Sequence, residues 1–177
     1  MPELQPLRAG HGPALLAFER ENRAYFAASV TDRGDAFFVE SGFAERLAAL
    51  LAEQAAGEIA FHVLVAEDGE VLGRFNLVDL DTTEGSAEIG YRLAEKATGR
   101  GLATATVREL IALAAERYGI HTLHAGTSLD NAASRAVLAR TGFTETGRAD
   151  FSGETGLTFV RHGSPTRGTE AREATEA

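Results

Sequence analysis

The chemistry-bearing residues of this 177-residue chain gather at Gly99-Arg100-Gly101 and, about 30 residues further on, at Asp130-Asn131-Ala132-Ala133-Ser134. Gly99 and Gly101 let the backbone turn tightly and approach a ligand more closely than residues with a Cβ allow. The residues that follow have helical periodicity. The first N–H groups of such a helix lack intrahelical partners, and its peptide dipoles place about half a positive charge there. That combination binds phosphate. Upstream, Glu88-Ile89-Gly90-Tyr91 puts a carboxylate on a predicted strand, and the second segment offers a carboxamide, Asn131, and a hydroxyl, Ser134.

The glycine turn alone is a weak signal. A phosphate-binding loop of the Walker type needs Gly-Lys followed by Ser or Thr, which is absent. A dinucleotide fingerprint needs a third glycine where this chain has Thr104, together with a doubly wound sheet.

These residues must be positioned by a scaffold that the periodicity describes. Leu4 to Arg8 reads as a first strand. Pro13 to Ser29 reads as one or two helices broken near Asn22, and Phe43 to Ala55 as another helix with apolar residues at three- and four-residue steps. The period then becomes two. Ile59, Phe61, Val63 and Val65 alternate, as do Val71, Gly73, Phe75 and Leu77, around Glu67-Asp68-Gly69-Glu70. This is an antiparallel hairpin. A third strand covers Ser86 to Leu93, followed by a helix from Gly101 to Tyr118 with Gly119 as its C-terminal cap. A strand at Thr122 to Thr127, a helix at Asp130 to Thr141, and strands at Phe143 to Asp150 and Thr155 to His162 complete the order. The expected fold is α/β: a mixed, mostly antiparallel central sheet flanked by helices, parallel where the Gly101–Tyr118 helix crosses over. Residues 1–163 form one domain, and residues 164–177, which lack large apolar side chains, are expected to be disordered.

Composition narrows the function. There is no cysteine, which excludes disulfides, thiolate metal sites and cysteine nucleophiles. The formal net charge of −9 argues against nucleic acid as a ligand. No apolar run approaches the roughly 20 residues that span a bilayer, and Met1-Pro2-Glu3-Leu4-Gln5 lacks a signal-peptide profile, so no membrane contact and a cytoplasmic location are expected. His121 and His124 stand three apart on a strand and point to opposite faces. No metal site is expected. His62 is expected on the solvent or substrate side of its strand.

Together, the glycine turn and the segment Asp130-Asn131-Ala132-Ala133-Ser134-Arg135-Ala136-Val137-Leu138-Ala139-Arg140-Thr141-Gly142-Phe143 resemble the GNAT N-acetyltransferase superfamily, and specifically its RimJ/RimL-like branch. Ala-Glu-Ile-Gly-Tyr-Arg-Leu before the turn is similar to that branch as well. The resemblance covers Leu4 to His162. It implies acetyl-CoA bound where two parallel strands splay apart, here Glu88–Leu93 and Thr122–Thr127. Backbone groups of Tyr91, Arg92 and Leu93 would pair with the pantetheine arm. Amides of Gly99, Arg100, Gly101, Leu102, Ala103 and Thr104 would cradle the diphosphate, with Arg100 adding positive charge where the family's usual Arg or Gln is replaced by Thr98. Asn131 would fix a pantetheine amide, or serve as a helix cap.

For catalysis, the resemblance makes Glu88 the candidate base, acting through water. It stands five residues before Leu93 where other branches have six, so a bulge at Gly90–Tyr91 is expected to restore its direction and to expose an oxyanion-binding N–H. The tyrosine that donates a proton in many members is replaced by Leu138, which leaves Ser134 as candidate acid. The acceptor is an amine on a peptide or small molecule. A protein N-terminal α-amine comes first, because its reference pKa of about 7.7–8.0 leaves more of it neutral than lysine at about 10.4. A small-molecule amine such as an antibiotic or polyamine comes second, and a non-catalytic acyl-CoA-binding module third. Asp79, Asp81 and Glu84 could attract a cationic acceptor. A homodimer is an assembly common among such enzymes.

Overall fold

The computed structural model describes residues 1–164, so the tail expected to be disordered lies, from residue 165 on, outside the described residues. The elements in chain order are β1 (Glu3–Pro6), α1 (Gly12–Glu21), α2 (Arg23–Ala27), α3 (Glu40–Ala55), β2 (Ala60–Val65), β3 (Val71–Asp81), β4 (Ser86–Leu93), α4 (Leu102–Tyr118), β5 (Thr122–Ser128), α5 (Ala132–Arg140), β6 (Thr144–Phe151) and β7 (Glu154–His162). Among the described residues seven strands form one sheet in the order β1-β2-β3-β4-β5-β7-β6. Every neighbouring pair is antiparallel except β4 and β5.

Local chemistry sets the boundaries. Pro13 occupies the first turn of α1, where its missing N–H costs nothing. The chain breaks at Asn22, whose carboxamide donates to the Phe18 carbonyl at 2.9 Å and accepts from the Glu95 amide at 3.0 Å. Spent on backbone groups, that side chain ends one helix and pins it to the segment after β4. Gly119 closes α4 at φ 66°, a left-handed conformation that strains residues with a Cβ.

The two faces of the sheet carry different helices. Glu19 of α1 pairs with Arg74 of β3, which places α1, with α3 packed beside it, over the Arg74 face. Tyr91 of β4 bonds to Ser134 of α5, so α5 and its neighbour α4 cover the other. Val63, Phe75, Leu77, Leu110 and Ala114 are fully buried between these layers.

Two local expectations are corrected. His62 is 1% exposed rather than solvent- or substrate-facing. Helices cover both faces of β2, so alternation there does not separate inside from outside. The bulge expected at Gly90–Tyr91 is absent. Registers from Gly73 opposite Leu93 to Val78 opposite Glu88 run without interruption, and the irregularity falls between Val78 and Asp81 of β3.

Candidate active site

The sheet opens between β4 and β5. Their parallel ladder joins Ser86, Ala87 and Glu88 to Thr122, Leu123 and His124 and then stops. Beyond it β4 stays paired to β3 as far as Leu93, and β5 stays paired to β7 as far as Ser128. Each strand thus turns an unpaired main-chain edge toward the gap. The Ala94 amide donates to the Leu72 carbonyl at 2.8 Å. Because an antiparallel ladder alternates, Arg92 and Gly90 also point their main-chain groups at β3, while Tyr91 and Leu93 point theirs into the gap. The backbone edge expected from Tyr91, Arg92 and Leu93 is therefore supplied by Tyr91 and Leu93, and Arg92 offers only its side chain.

At the wide end of the gap the chain turns through Gly99 at φ 76° and Gly101 at φ 72°. Among the described residues no heavy atom lies within 4 Å of a Cβ built at either position, so glycine is needed there for its φ and not for lack of room. Left-handed backbone costs a residue with a Cβ roughly 1–2 kcal/mol. Gly101 opens α4, and the first-turn amides of Leu102, Ala103 and Thr104 border a cleft of about 420 Å³ that reaches along the gap to Asn131 and Ser134. Arg100 does not line that cleft. Its guanidinium donates to the Lys96 carbonyl at 2.6 Å, folded back against the short 3-10 turn before the loop. Thr98 does line it, with its hydroxyl donating to the Glu95 carbonyl at 2.7 Å.

Across the cleft stands α5. Asn131 caps it, its side-chain oxygen accepting from the Ser134 amide at 3.1 Å. Its amide –NH₂ makes no hydrogen bond among the described residues. The Ser134 hydroxyl lies 3.1 Å from the Tyr91 phenol, which is stacked on Phe75 with centroids 5.8 Å apart. Burial raises the Tyr91 pKa above its ordinary value, against a smaller lowering by Ser134, and so keeps the phenol protonated. Leu138 is buried in the core. Sequence reasoning used only the backbone of Tyr91. Its side chain became a candidate only when β4 and α5 were brought together.

The opposite face of the gap carries Glu88 and His124, neighbours across the parallel ladder. Partial burial and the nearby Asp79 raise the Glu88 carboxyl above its ordinary range, and His124 opposes them. Asp79 sits at φ 50° where β3 loses register, which brings it near Glu88. Asp81, by contrast, accepts from the amides of Thr83 and Glu84 at 3.0 and 2.9 Å and is spent on its own turn. Phe151 lies over Gly126 on the same face, where an added Cβ would come within 2.5 Å of its ring. Among the described residues no cluster of His, Asp or Glu is placed to hold a metal, and no helix is long and apolar enough to cross a membrane.

Comparison with known proteins gives a consistent result. A family model described as "Acetyltransferase (GNAT) domain" matches residues 3–144. YdaF of Bacillus subtilis (strain 168), which bears the name of a ribosomal N-acetyltransferase, is 39% identical over 82 residues. That alignment spans 46% of this chain and 45% of YdaF, so the match covers less than half of that relative. The ribosomal-protein-S5-alanine acetyltransferase of Vibrio fischeri superposes with a TM-score of 0.85 at 19% identity, covering 92% of this chain and 93% of the other. RimJ of Mycobacterium smegmatis, solved in complex with CoA-disulfide, superposes with a TM-score of 0.81 at 24% identity, covering 90% of this chain and 80% of that one. At these identities the two structural likenesses are likenesses of fold.

Proposed function

Because this chain belongs to the GNAT acetyltransferase family, we propose that it moves an acetyl group from acetyl-CoA to the α-amine of a polypeptide N-terminus. The observation that carries the reading is one continuous cleft joining a glycine-formed helix N-terminus to a strand gap with a hydroxyl pair beside it. The residues present fit the donor. The amides at Gly101 to Thr104 suit its diphosphate, and several charge-assisted bonds of about 1.5–3 kcal/mol each would hold it. The edge groups of Tyr91 and Leu93 suit an amide-containing arm lying as an extra strand.

When bound, acetyl-CoA supplies an activated thioester. The Tyr91 N–H, directed into the gap, donates to the carbonyl oxygen as negative charge develops on it. The Ser134 hydroxyl, joined to the Tyr91 phenol, delivers a proton to the sulfur side. That demand is small, since an ordinary thiol has a pKa of about 8.5. On the acceptor face Glu88 takes the amine proton through water, and its raised pKa brings it closer to the working range of a base near neutrality. An α-amine needs less help than a lysine, because a useful fraction of it is already neutral there. The names of YdaF and of the Vibrio protein favour a ribosomal N-terminus as the acceptor.

The test is release of free CoA from acetyl-CoA in the presence of peptide and small-amine panels. Turnover on peptides with free N-termini, lost when those termini are blocked, supports the reading. Turnover confined to small amines moves the assignment to them. Binding of acetyl-CoA without turnover on either panel leaves a binding module.

A further inference from the structure

Four arginines converge on the acceptor face beside α1 and α2, in a chain whose acidic residues outnumber its basic ones 26 to 17. Arg74 and Arg92 are directly opposed across β3 and β4, a like-charge pairing that destabilises a sheet. Arg33 and Arg92 line one recess of about 10 Å³, room for roughly one water, with Glu19, Arg23, Phe26 and Asp32.

The charges in this group are not all balanced. Glu19, 2% exposed, pairs with the buried Arg74. Arg23 is held by Asp32 and Asp35, both at 2.8 Å. Among the described residues no carboxylate lies within ion-pair distance of Arg92 or Arg33. Instead, Arg92 lies over the Phe26 ring at 5.4 Å and Arg33 over the Phe37 ring at 4.7 Å. Those contacts hold the two guanidiniums in place without neutralising them. Partial desolvation, and then repulsion from Arg74, lower the pKa of both guanidiniums; Arg92 adds to the lowering at Arg33, and Glu19 opposes it at both. Two polar atoms on the same strand face, Nε of Arg74 and Oδ1 of Asn76, are buried without partners among the described residues. Asn76 stands opposite Gly90, which has no side chain to fill the space between Glu88 and Arg92.

The placement relative to Glu88 sets the scale. Glu88, Gly90 and Arg92 share one face of β4, so Glu88 and Arg92 are about 13 Å apart along the strand. Tyr91 and Leu93 turn their side chains the other way. With its amine one water from Glu88, about 5–6 Å along the strand, an extended peptide has about 7–8 Å left to Arg92, which brings a side chain from its second or third residue alongside at about 3.3 Å per residue.

We propose that Arg92 and Arg33 select an acidic acceptor, an amine followed within two residues by a carboxylate that the two guanidiniums bind. The inference deepens the reading given under Proposed function and rests on it. A planar guanidinium favours carboxylate for its bidentate geometry, so a paired arginine site discriminates by shape as well as charge.

The experiment measures kcat/KM on matched peptides beginning Ser-Asp, Ser-Asn and Ser-Lys, alongside aspartic acid amide and putrescine. The expected result is a preference for Ser-Asp over Ser-Asn of about tenfold, shrinking in high salt, with Ser-Lys slowest. In the folded Arg33→Gln and Arg92→Gln proteins that ratio should fall toward one, and Arg33→Glu should favour Ser-Lys. Near-equal rates on the three peptides would overturn the acidic preference and leave peptide acetylation standing. Acidic small amines as sole substrates would keep the preference and remove the peptide. Variants that only raised the KM for acetyl-CoA, with peptide ratios unchanged, would assign the arginines to the donor and overturn the proposal. Turnover on nothing in either panel would overturn both.

Discussion

The phenol of Tyr91 on β4 and the hydroxyl of Ser134 on α5 stand 3.1 Å apart across the mouth of the gap, joining two elements that the sequence separates by 43 residues. Tyr91 also donates to the Ser134 carbonyl at 3.3 Å, so the phenol can serve either oxygen. Leu138, on the same helix as Ser134, is by contrast buried in the core.

If the pair delivers a proton, Tyr91→Phe and Ser134→Ala will each lower kcat by about 10²-fold, with the KM for acetyl-CoA changing little. The double variant will be about as slow as the poorer single one, because groups acting as a unit are not additive. Independent, multiplying losses in steady-state kinetics would separate the two residues.

Glu88→Gln tests the base. Below an amine pKa of about 8, log kcat/KM for a peptide falls with a slope of one, and with a slope of two below the Glu88 pKa. That second break lies above the ordinary carboxylate range, since burial and Asp79 raise it. The variant should be slower and keep a slope of one throughout. A wild-type rate and an unchanged profile would remove Glu88 from the mechanism.

The glycine turn can be tested against a control on the same helix. Gly101→Ala forces a Cβ into left-handed backbone and should cost about 1–2 kcal/mol, weakening acetyl-CoA binding about tenfold by calorimetry. Gly119→Ala strains the far end of α4 equally, at φ 66° and with no heavy atom within 4 Å of the added Cβ. It should lower Tm by about 2–4 °C per kcal/mol and leave acetyl-CoA affinity intact. Equal loss of affinity in both variants would mean the turn acts only through helix stability.

His62 predicts an acid sensitivity. Burial holds its pKa below the ordinary value, followed by smaller backbone contributions that raise it and a lowering by Arg117. The folded protein keeps it neutral, while an unfolded chain would protonate it near pH 6.5. Stability from this group is complete above about pH 6.5 and declines as pH falls toward the depressed folded value. His11, lowered by burial and then by Arg8, acts in the same direction. Because neither His62 nitrogen has a hydrogen-bond partner of good geometry among the described residues, His62→Leu should reduce the loss of Tm between pH 7 and pH 5 without harming stability at pH 7. A steeper acid loss in the variant would contradict this.

Much of the scaffold was legible in the chain. β4 was expected at Ser86 to Leu93 and is found there, and the break at Asn22 and the cap at Gly119 are where turn chemistry puts them. The parallel pair followed from a helix of crossover length between two strand-period segments. Errors came where a position depends on what lies across the sheet. His62 looked half-exposed because its strand alternates, and Arg100 looked available because its loop neighbours are.

The sequence by itself determined the order of elements, the glycine turn that opens α4 and the family, because periodicity, left-handed backbone and helix ends are local properties of a few adjacent residues. The tertiary structure alone decided that Tyr91 meets Ser134, that the main-chain groups of Tyr91 and Leu93 rather than those of Arg92 face the gap, and that Arg33 and Arg92 share a recess in which neither is ion-paired to a carboxylate among the described residues. Those relations depend on sheet register and on which helix covers which face. They are set by the packing of segments far apart in the chain, which no local pattern of residues encodes.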